Sequence, residues 1–189
     1  MVFLNEEWYA VVVVVHIIFA IAAVGAVSVT DYLHLTGLKN KIREKKLLFI
    51  YPLLGKMIIY LIAGIILTGG ILVANNPGLL SNSLFKLKMV LFLVIIVNGW
   101  ILHSYVSPSL DRCVIKGGKV NCSRKVLLVS AFAGSVSLAS WYGVFILSLT
   151  KSAEYSVSDF ISFYLIAIFA LFLIALFVEM RAKKWEDLI

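Results

Sequence analysis

Three histidines, His16, His34 and His103, lie in or at the edge of segments that are apolar enough to cross a bilayer. An ionisable side chain at the centre of a membrane-spanning helix costs roughly 2.5–3.5 kcal/mol on insertion scales, so such residues usually face a protein interior, a cavity or a cofactor. A neutral imidazole can ligate a metal ion, and the same ring can carry a proton. The three histidines are therefore the first candidates for chemistry in this chain.

Their spacing limits which histidines can share one ligand. His16 and His34 lie on one face of a predicted helix but about 27 Å apart, too far to bind the same iron. His34 and His103 both fall towards the same membrane surface, and two imidazoles facing each other across a helical bundle are natural axial ligands for haem iron. The sequence predicts haem b bound by His34 and His103, with His16 as a further ligand, alone or with Met89, or as a proton relay.

Two lysines inside the apolar segments are candidates for binding acidic groups of such a cofactor. Lys56 can pair with a cofactor carboxylate or with Asp31, or it can extend to the lipid head groups. Lys88 begins a stripe along the third segment at intervals of four, three, four and four residues, which ends at His103. Asn98 lies off this stripe, and we expect it to bond to a neighbouring helix.

Five apolar stretches position these residues, and each reaches the roughly 20 residues that a membrane-spanning helix needs. The predicted spans are about 8–34, 47–74, 88–107, 126–150 and 160–180. With 189 residues, of which 62% are hydrophobic, the chain is predicted to be one all-α domain over residues 1–189, an antiparallel bundle of five transmembrane helices.

Several local signals refine these boundaries. The first helix is expected to continue to Gly37, and the segment Asn75-Asn76-Pro77-Gly78 is a strong stop signal for the second. Pro52 is expected in the first turn of the second helix, where its missing N–H does least harm. The third helix is expected to end before Pro108. The last helix is almost wholly apolar, so we expect no site residues from it.

The basic residues predict the orientation, because Lys and Arg accumulate in cytoplasmic loops. One side of the predicted topology carries thirteen of them and the other carries three, Lys86, Lys88 and Lys151. This places the N-terminus outside and the C-terminus in the cytoplasm, as an odd number of spans requires. The thirteen are Lys39, Lys41, Arg43, Lys45, Lys46, Arg112, Lys116, Lys119, Arg124, Lys125, Arg181, Lys183 and Lys184.

Charge and cysteine content exclude other classes. The net charge of +7 comes from short loops that meet lipid head groups, so we expect a lipid bilayer and no nucleic acid as partner. The N-terminal region carries Glu6 and Glu7 before a long apolar run, which does not resemble a cleaved signal peptide. Cys113 and Cys122 lack the spacing and the neighbouring ligands of a zinc site, and we interpret them as reduced thiols.

Part of this pattern resembles the HemJ type of membrane protoporphyrinogen oxidase. The resemblance covers about residues 8–110 and is carried by His16 in Val-His-Ile-Ile, His34 in Asp-Tyr-Leu-His, Lys86 or Lys88, and His103 in Trp-Ile-Leu-His. The Pro-Arg that the family has before its second histidine is absent here, and so is its Trp before the lysine. The resemblance implies a haem-binding helical bundle.

A weaker similarity links the chain to CopD-like membrane domains, through the first-helix histidine and Thr68-Gly69 near the end of the second helix. Three functions follow as expectations for a multi-pass protein of the cytoplasmic membrane. The first is a b-type haem protein in redox chemistry with a quinone or a porphyrin. The second is a non-catalytic membrane subunit or scaffold, with other subunits or in a homodimer. The third is transport of copper or another small solute.

Overall fold

A computed structural model describes residues 4–40, 45–111, 114–116, 119–121, 123–150 and 156–184, with side chains over 4–33, 50, 52–109, 123–150 and 156–178. The fold is all-α, as predicted. The helices are α1 (Glu6–Asn40), α2 (Lys45–Asn75), α3 (Ser83–Ile101), α4 (Ser107–Asp111), α5 (Arg124–Leu149) and α6 (Val157–Lys184). A 3-10 turn (Pro77–Ser81) precedes α3, and a π-helical segment (Leu102–Val106) joins α3 to α4.

Five helical stretches are long and apolar enough to cross a membrane, which confirms the predicted number. They are Glu6–Leu33, Pro52–Asn75, Ser83–Ser109, Arg124–Leu149 and Val157–Val178. A two-stranded hairpin, in which β1 (Val114–Lys116) pairs antiparallel with β2 (Lys119–Asn121), lies in the predicted cytoplasmic loop before α5.

The helices α1, α3 and α5 begin two to five residues before the predicted spans because a polar cap precedes each of them. Asn5 Oδ1 accepts the Trp8 N–H at 3.0 Å, and Asn82 Oδ1 accepts the Leu84 N–H at 2.9 Å. Ser123 Oγ accepts the Val126 N–H at 3.3 Å. Each cap satisfies a backbone donor that has no partner inside its own helix. Such caps are visible in the sequence, so these boundaries follow from local chemistry.

Two predictions about prolines are wrong. Because α2 begins at Lys45, Pro52 lies well inside the helix rather than in its first turn. The third span does not end before Pro108, since α4 contains that proline. Pro108 follows a helix that runs without a break from α3 through the π-helical segment, so it is an internal proline rather than a first-turn one. The π-helical segment just before it allows the chain to continue as a helix.

The chain divides into two compact units. Unit 1 comprises Met1–Leu33 and Arg43–Leu87, and therefore most of α1 together with α2. The two helices run antiparallel, because the Leu4 N–H at the start of the chain donates to Asn75 Oδ1 at the end of α2, at 2.8 Å. Ala23 and Val27, which lie on the same face of α1 as His16, are buried.

Unit 2 comprises His34–Ile42 and Lys88–Ile189, and α5 is its central helix. On one side the Asn98 amide of α3 donates to the Ala133 carbonyl of α5 at 2.9 Å, which confirms the expected bond to a neighbouring helix. On the other side Ser140 of α5 bonds to Tyr164 of α6 at 2.8 Å. Both bonds join helices within apolar segments, where such contacts are worth about 0.6–1.7 kcal/mol.

Candidate functional site

His16 lies in the N-terminal third of α1, where it is half-buried and its ring contacts α2. Its Nδ1 is 2.8 Å from Thr68 Oγ1, although the two residues are 52 positions apart in the chain. Thr68 is 7% exposed, and its hydroxyl is also 2.7 Å from the carbonyl oxygen of Gly64, one turn earlier on the same helix. Imidazole, hydroxyl and carbonyl therefore form a short hydrogen-bonded chain between the two helices of unit 1.

The distances in this chain identify the donor at each step. Two oxygens 2.7 Å apart need a proton between them, and only the Thr68 hydroxyl can supply one to the Gly64 carbonyl. The threonine has a single hydroxyl proton, so its oxygen accepts from His16 and Nδ1 carries the N–H. In a neutral imidazole the lone pair is then on Nε2.

The backbone of Gly69 lies beside the same ring. A Cβ at position 69 would be 3.3 Å from His16 Cε1, which is closer than a side chain normally approaches. Gly70, the next residue, would place a Cβ with nothing within 4 Å. Position 69 therefore accommodates the imidazole because it has no side chain.

Lys56 lies on the same face of α2 as Tyr60, Gly64 and Thr68. Gly64 and Thr68 contact α1, whereas Tyr60 is 74% exposed and Lys56 is exposed as well. The Oδ2 atom of Asp31 is buried and has no hydrogen-bond partner among the residues that the structure describes. Lys56 therefore does not bond to this oxygen, and its role towards a cofactor remains a prediction.

The other predicted ligands belong to unit 2. His103 lies on the π-helical segment and is exposed, while Lys88 of α3 is half-buried and Met89 is 52% exposed. The side chain of His34 lies outside the described residues. The pairing of His34 with His103 therefore stays a prediction. His16 belongs to unit 1 and His103 belongs to unit 2.

Among the described side chains, no three His, Cys, Asp or Glu residues come together as a multi-ligand metal site requires. Haem iron needs only one or two protein ligands, so this finding bears on zinc-like or copper-like clusters rather than on haem.

Unit 2 contains a cavity of about 220 Å³ between α5 and α6. Its walls are apolar and aromatic, and they include Tyr142, Gly143, Phe160, Phe163 and Tyr164. None of the predicted ligand residues lines it. The cavity is therefore separate from the histidine chemistry.

Sequence reasoning missed two residues of structural importance. The sequence singles out Thr68 only within a Thr-Gly motif, because its bond to His16 depends on the register of α1 against α2. Tyr164 lies on the helix from which no site residue was expected, yet its phenol bonds to Ser140, which is fully buried. A hydroxyl-bearing aromatic residue in an otherwise apolar helix is the signal that could have identified it.

Comparison of the chain with protein-family models, with curated proteins and with solved structures finds no match. The similarity to HemJ-type oxidases and CopD-like domains consequently rests on the quoted motifs alone. In the structure, His16 contacts both Thr68 and Gly69.

Proposed function

We propose that the protein is an integral membrane b-type haem-binding protein that takes part in redox chemistry with a quinone or a porphyrin, and that His16 is an axial ligand. The observation that carries the proposal is the bond between His16 Nδ1 and Thr68 Oγ1. Metal-bound histidines almost always donate their second ring N–H to a carboxylate, a carbonyl or a water. The Thr68 hydroxyl supplies an equivalent oxygen for His16.

The environment of His16 fits this role in two further respects. The ring lies in a stretch long and apolar enough to span a membrane. An ionisable side chain is costly there, so it usually pairs with another polar group or marks a functional site. Ala20, one helical turn after His16 on the same face of α1, is only partly buried, and its small side chain allows close approach of a flat group. A bound haem would supply one-electron transfer, and the chain would supply the ligand, its orientation and an apolar surrounding.

The remaining predicted residues complete the proposal. His34 and His103 would form a second ligand pair, and Lys56 and Lys88 would hold the acidic groups of a cofactor or substrate. The bilayer in question would be the cytoplasmic membrane, with the N-terminus outside. Other membrane subunits or a second copy of the chain are compatible partners.

Absorption spectroscopy tests the proposal directly. The protein is expressed in haem-replete cells, purified in mild detergent, and examined by reduced-minus-oxidised difference spectra. We expect Soret and α-band changes for the wild type and their loss or displacement in His16→Gln. Ser148→Ala is the control, since Ser148 is exposed and its hydroxyl donates to the Val144 carbonyl of its own helix. A colourless wild-type protein would overturn the proposal.

A second candidate, a non-catalytic membrane subunit or scaffold, is favoured by a different observation. The bonds His16–Thr68, Asn98–Ala133 and Ser140–Tyr164 each join two helices, as purely structural polar contacts do. If this candidate is correct, the protein binds no haem. His16→Gln and Thr68→Val would then lower stability by similar amounts and change nothing else.

A further inference from the structure

The cavity between α5 and α6 has a buried floor and an exposed mouth. Ala139, Gly143 and Phe160 form the floor, and all three are buried. At the mouth, Tyr142 is 45% exposed and Phe163 is 58% exposed. Both helices belong to stretches that are apolar enough to cross a membrane. The mouth therefore opens towards the hydrocarbon chains of the lipid rather than towards water.

Gly143 gives the floor its depth, because this residue has no side chain. A Cβ here would lie 3.4 Å from Leu91 Cδ1 of α3, and 3.7 Å and 3.8 Å from the rings of Tyr164 and Phe160 of α6. Leu91 and Phe160 are themselves buried, so α3, α5 and α6 meet at the glycine. Three packed helices thus support the floor of the cavity.

The walls of the cavity offer a ligand almost no polar group. The ring of Tyr164 lines the cavity, but its hydroxyl bonds to the fully buried Ser140 at 2.8 Å. An apolar cavity of this kind does not hold ordered water. Its volume of about 220 Å³ is smaller than the roughly 300–1,000 Å³ of sites that enclose a whole small molecule. A hydrocarbon chain, of which only a part enters the cavity, fits both its chemistry and its size.

The length of the cavity matches the hydrocarbon depth of one lipid leaflet. Its walls cover residues 138–146 of α5 and 160–171 of α6. These lengths correspond to about 12 Å and about 16 Å at a rise of 1.5 Å per residue. The hydrocarbon core of a bilayer is about 30 Å thick, so one leaflet supplies about 15 Å. Both stretches lie next to the connection between the helices, since α5 ends at Leu149 and α6 begins at Val157. The cavity therefore belongs to the leaflet on that side.

We propose that this cavity binds one acyl chain of a phospholipid from the leaflet next to the α5–α6 connection. The chain lies between Tyr142 and Phe163, above the floor at Gly143, and the head group stays at the membrane surface. The site uses none of the histidines and is independent of the proposed haem function. A lipid that binds only the folded protein stabilises it by mass action.

Ala167→Leu tests the site, because Ala167 is a half-buried residue of its wall and a larger side chain there occupies the space of the acyl chain. Ala170→Leu is the matched control, the same substitution on the same helix at an exposed residue outside the cavity. Each protein is purified in mild detergent and examined by native mass spectrometry. We expect a retained phospholipid in the wild type and in Ala170→Leu, and roughly tenfold lower occupancy in Ala167→Leu. Equal occupancy in the two variants would overturn the proposal.

A second measurement needs no variant. The wild type is reconstituted in phosphatidylcholine vesicles that contain a phospholipid with a photoreactive group in the middle of one acyl chain. It is then extracted in detergent before illumination, so that only retained lipid reacts. We expect the label at Phe163 and not at Phe169, which is 63% exposed on the same helix but lies outside the cavity. Equal labelling of the two phenylalanines would refute the site.

Delipidated protein distinguishes two sources of a hydrocarbon chain. It is incubated in detergent with dioleoyl phosphatidylcholine or with a long-chain isoprenoid quinone, and the adducts are identified by native mass spectrometry. An adduct with the phospholipid that is lost in Ala167→Leu supports the proposal. An adduct with the quinone alone would overturn the assignment to a phospholipid, and the absence of both adducts would overturn the site itself.

Discussion

The ring of Phe19 lies directly on the backbone of Gly64, one helical turn from the bond between His16 and Thr68. A Cβ at position 64 would lie 2.9 Å from Cδ2 and Cε2 of Phe19, a distance that side chains do not tolerate. The absence of a side chain at residue 64 therefore permits the close approach of α1 and α2. The same contact brings the imidazole of His16 within bonding distance of Thr68.

Gly64→Ala is expected to destabilise the protein by about 1–3 kcal/mol, because a methyl group must displace an aromatic ring from a packed contact. Unfolding in mixed detergent micelles, followed by circular dichroism, measures the change. Gly55→Ala on the same helix is the control, since a Cβ there meets nothing within 4 Å. Equal stability of the two variants would contradict the close packing of Phe19 on residue 64.

Ser140 and Tyr164 are expected to show energetic coupling in a double-mutant cycle. The hydroxyl of Ser140 is 2.7 Å from the Val136 carbonyl of its own helix, so it accepts the phenol proton of Tyr164. Tyr164→Phe, Ser140→Ala and the double variant should give a coupling of about 0.6–1.7 kcal/mol in detergent unfolding. Additive effects would show that the bond contributes no net stability. Ser148→Ala combined with Tyr164→Phe should be additive.

Asp31→Leu is expected to stabilise the protein by about 1–3 kcal/mol. The buried Oδ2 atom of Asp31 has no hydrogen-bond partner among the described residues, and such a buried polar group costs free energy of this size. Asp159→Leu provides the contrast, because Asp159 Oδ2 accepts a hydrogen bond from the Ser156 hydroxyl at 2.7 Å. Thermal unfolding should move in opposite directions for the two variants. A loss of stability in Asp31→Leu would reveal a partner for this carboxyl outside the described residues.

The predicted orientation is tested through Cys113 and Cys122, which lie in the loop expected in the cytoplasm. A thiol reagent that cannot cross membranes should label them in inverted vesicles and not in intact cells. Asn76→Cys, in a protein whose two native cysteines are replaced by serine, should label from the outside of intact cells. The reverse pattern would place the N-terminus in the cytoplasm and contradict the distribution of basic residues.

The five spans could be predicted from the sequence because hydrophobic length is a local property. A helix that crosses a bilayer satisfies its own backbone hydrogen bonds, so apolar length and turn residues such as Asn76-Pro77 identify it without knowledge of its neighbours. The errors at Pro52 and Pro108 arose where a helix continues through a residue that usually ends one. Polar caps that are present in the sequence explain why α1, α3 and α5 begin before the predicted spans.

The partner of each polar side chain was decided by tertiary structure. His16 was identified as a candidate from its type and setting, but its bond to Thr68 depends on the register between helices whose faces are nearly all apolar. An apolar face can pack against many others with similar energy. The residue pattern along α1 therefore does not determine which helix packs against it. The close approach of α1 to Gly64 and Gly69 selects the register in which imidazole, hydroxyl and carbonyl meet.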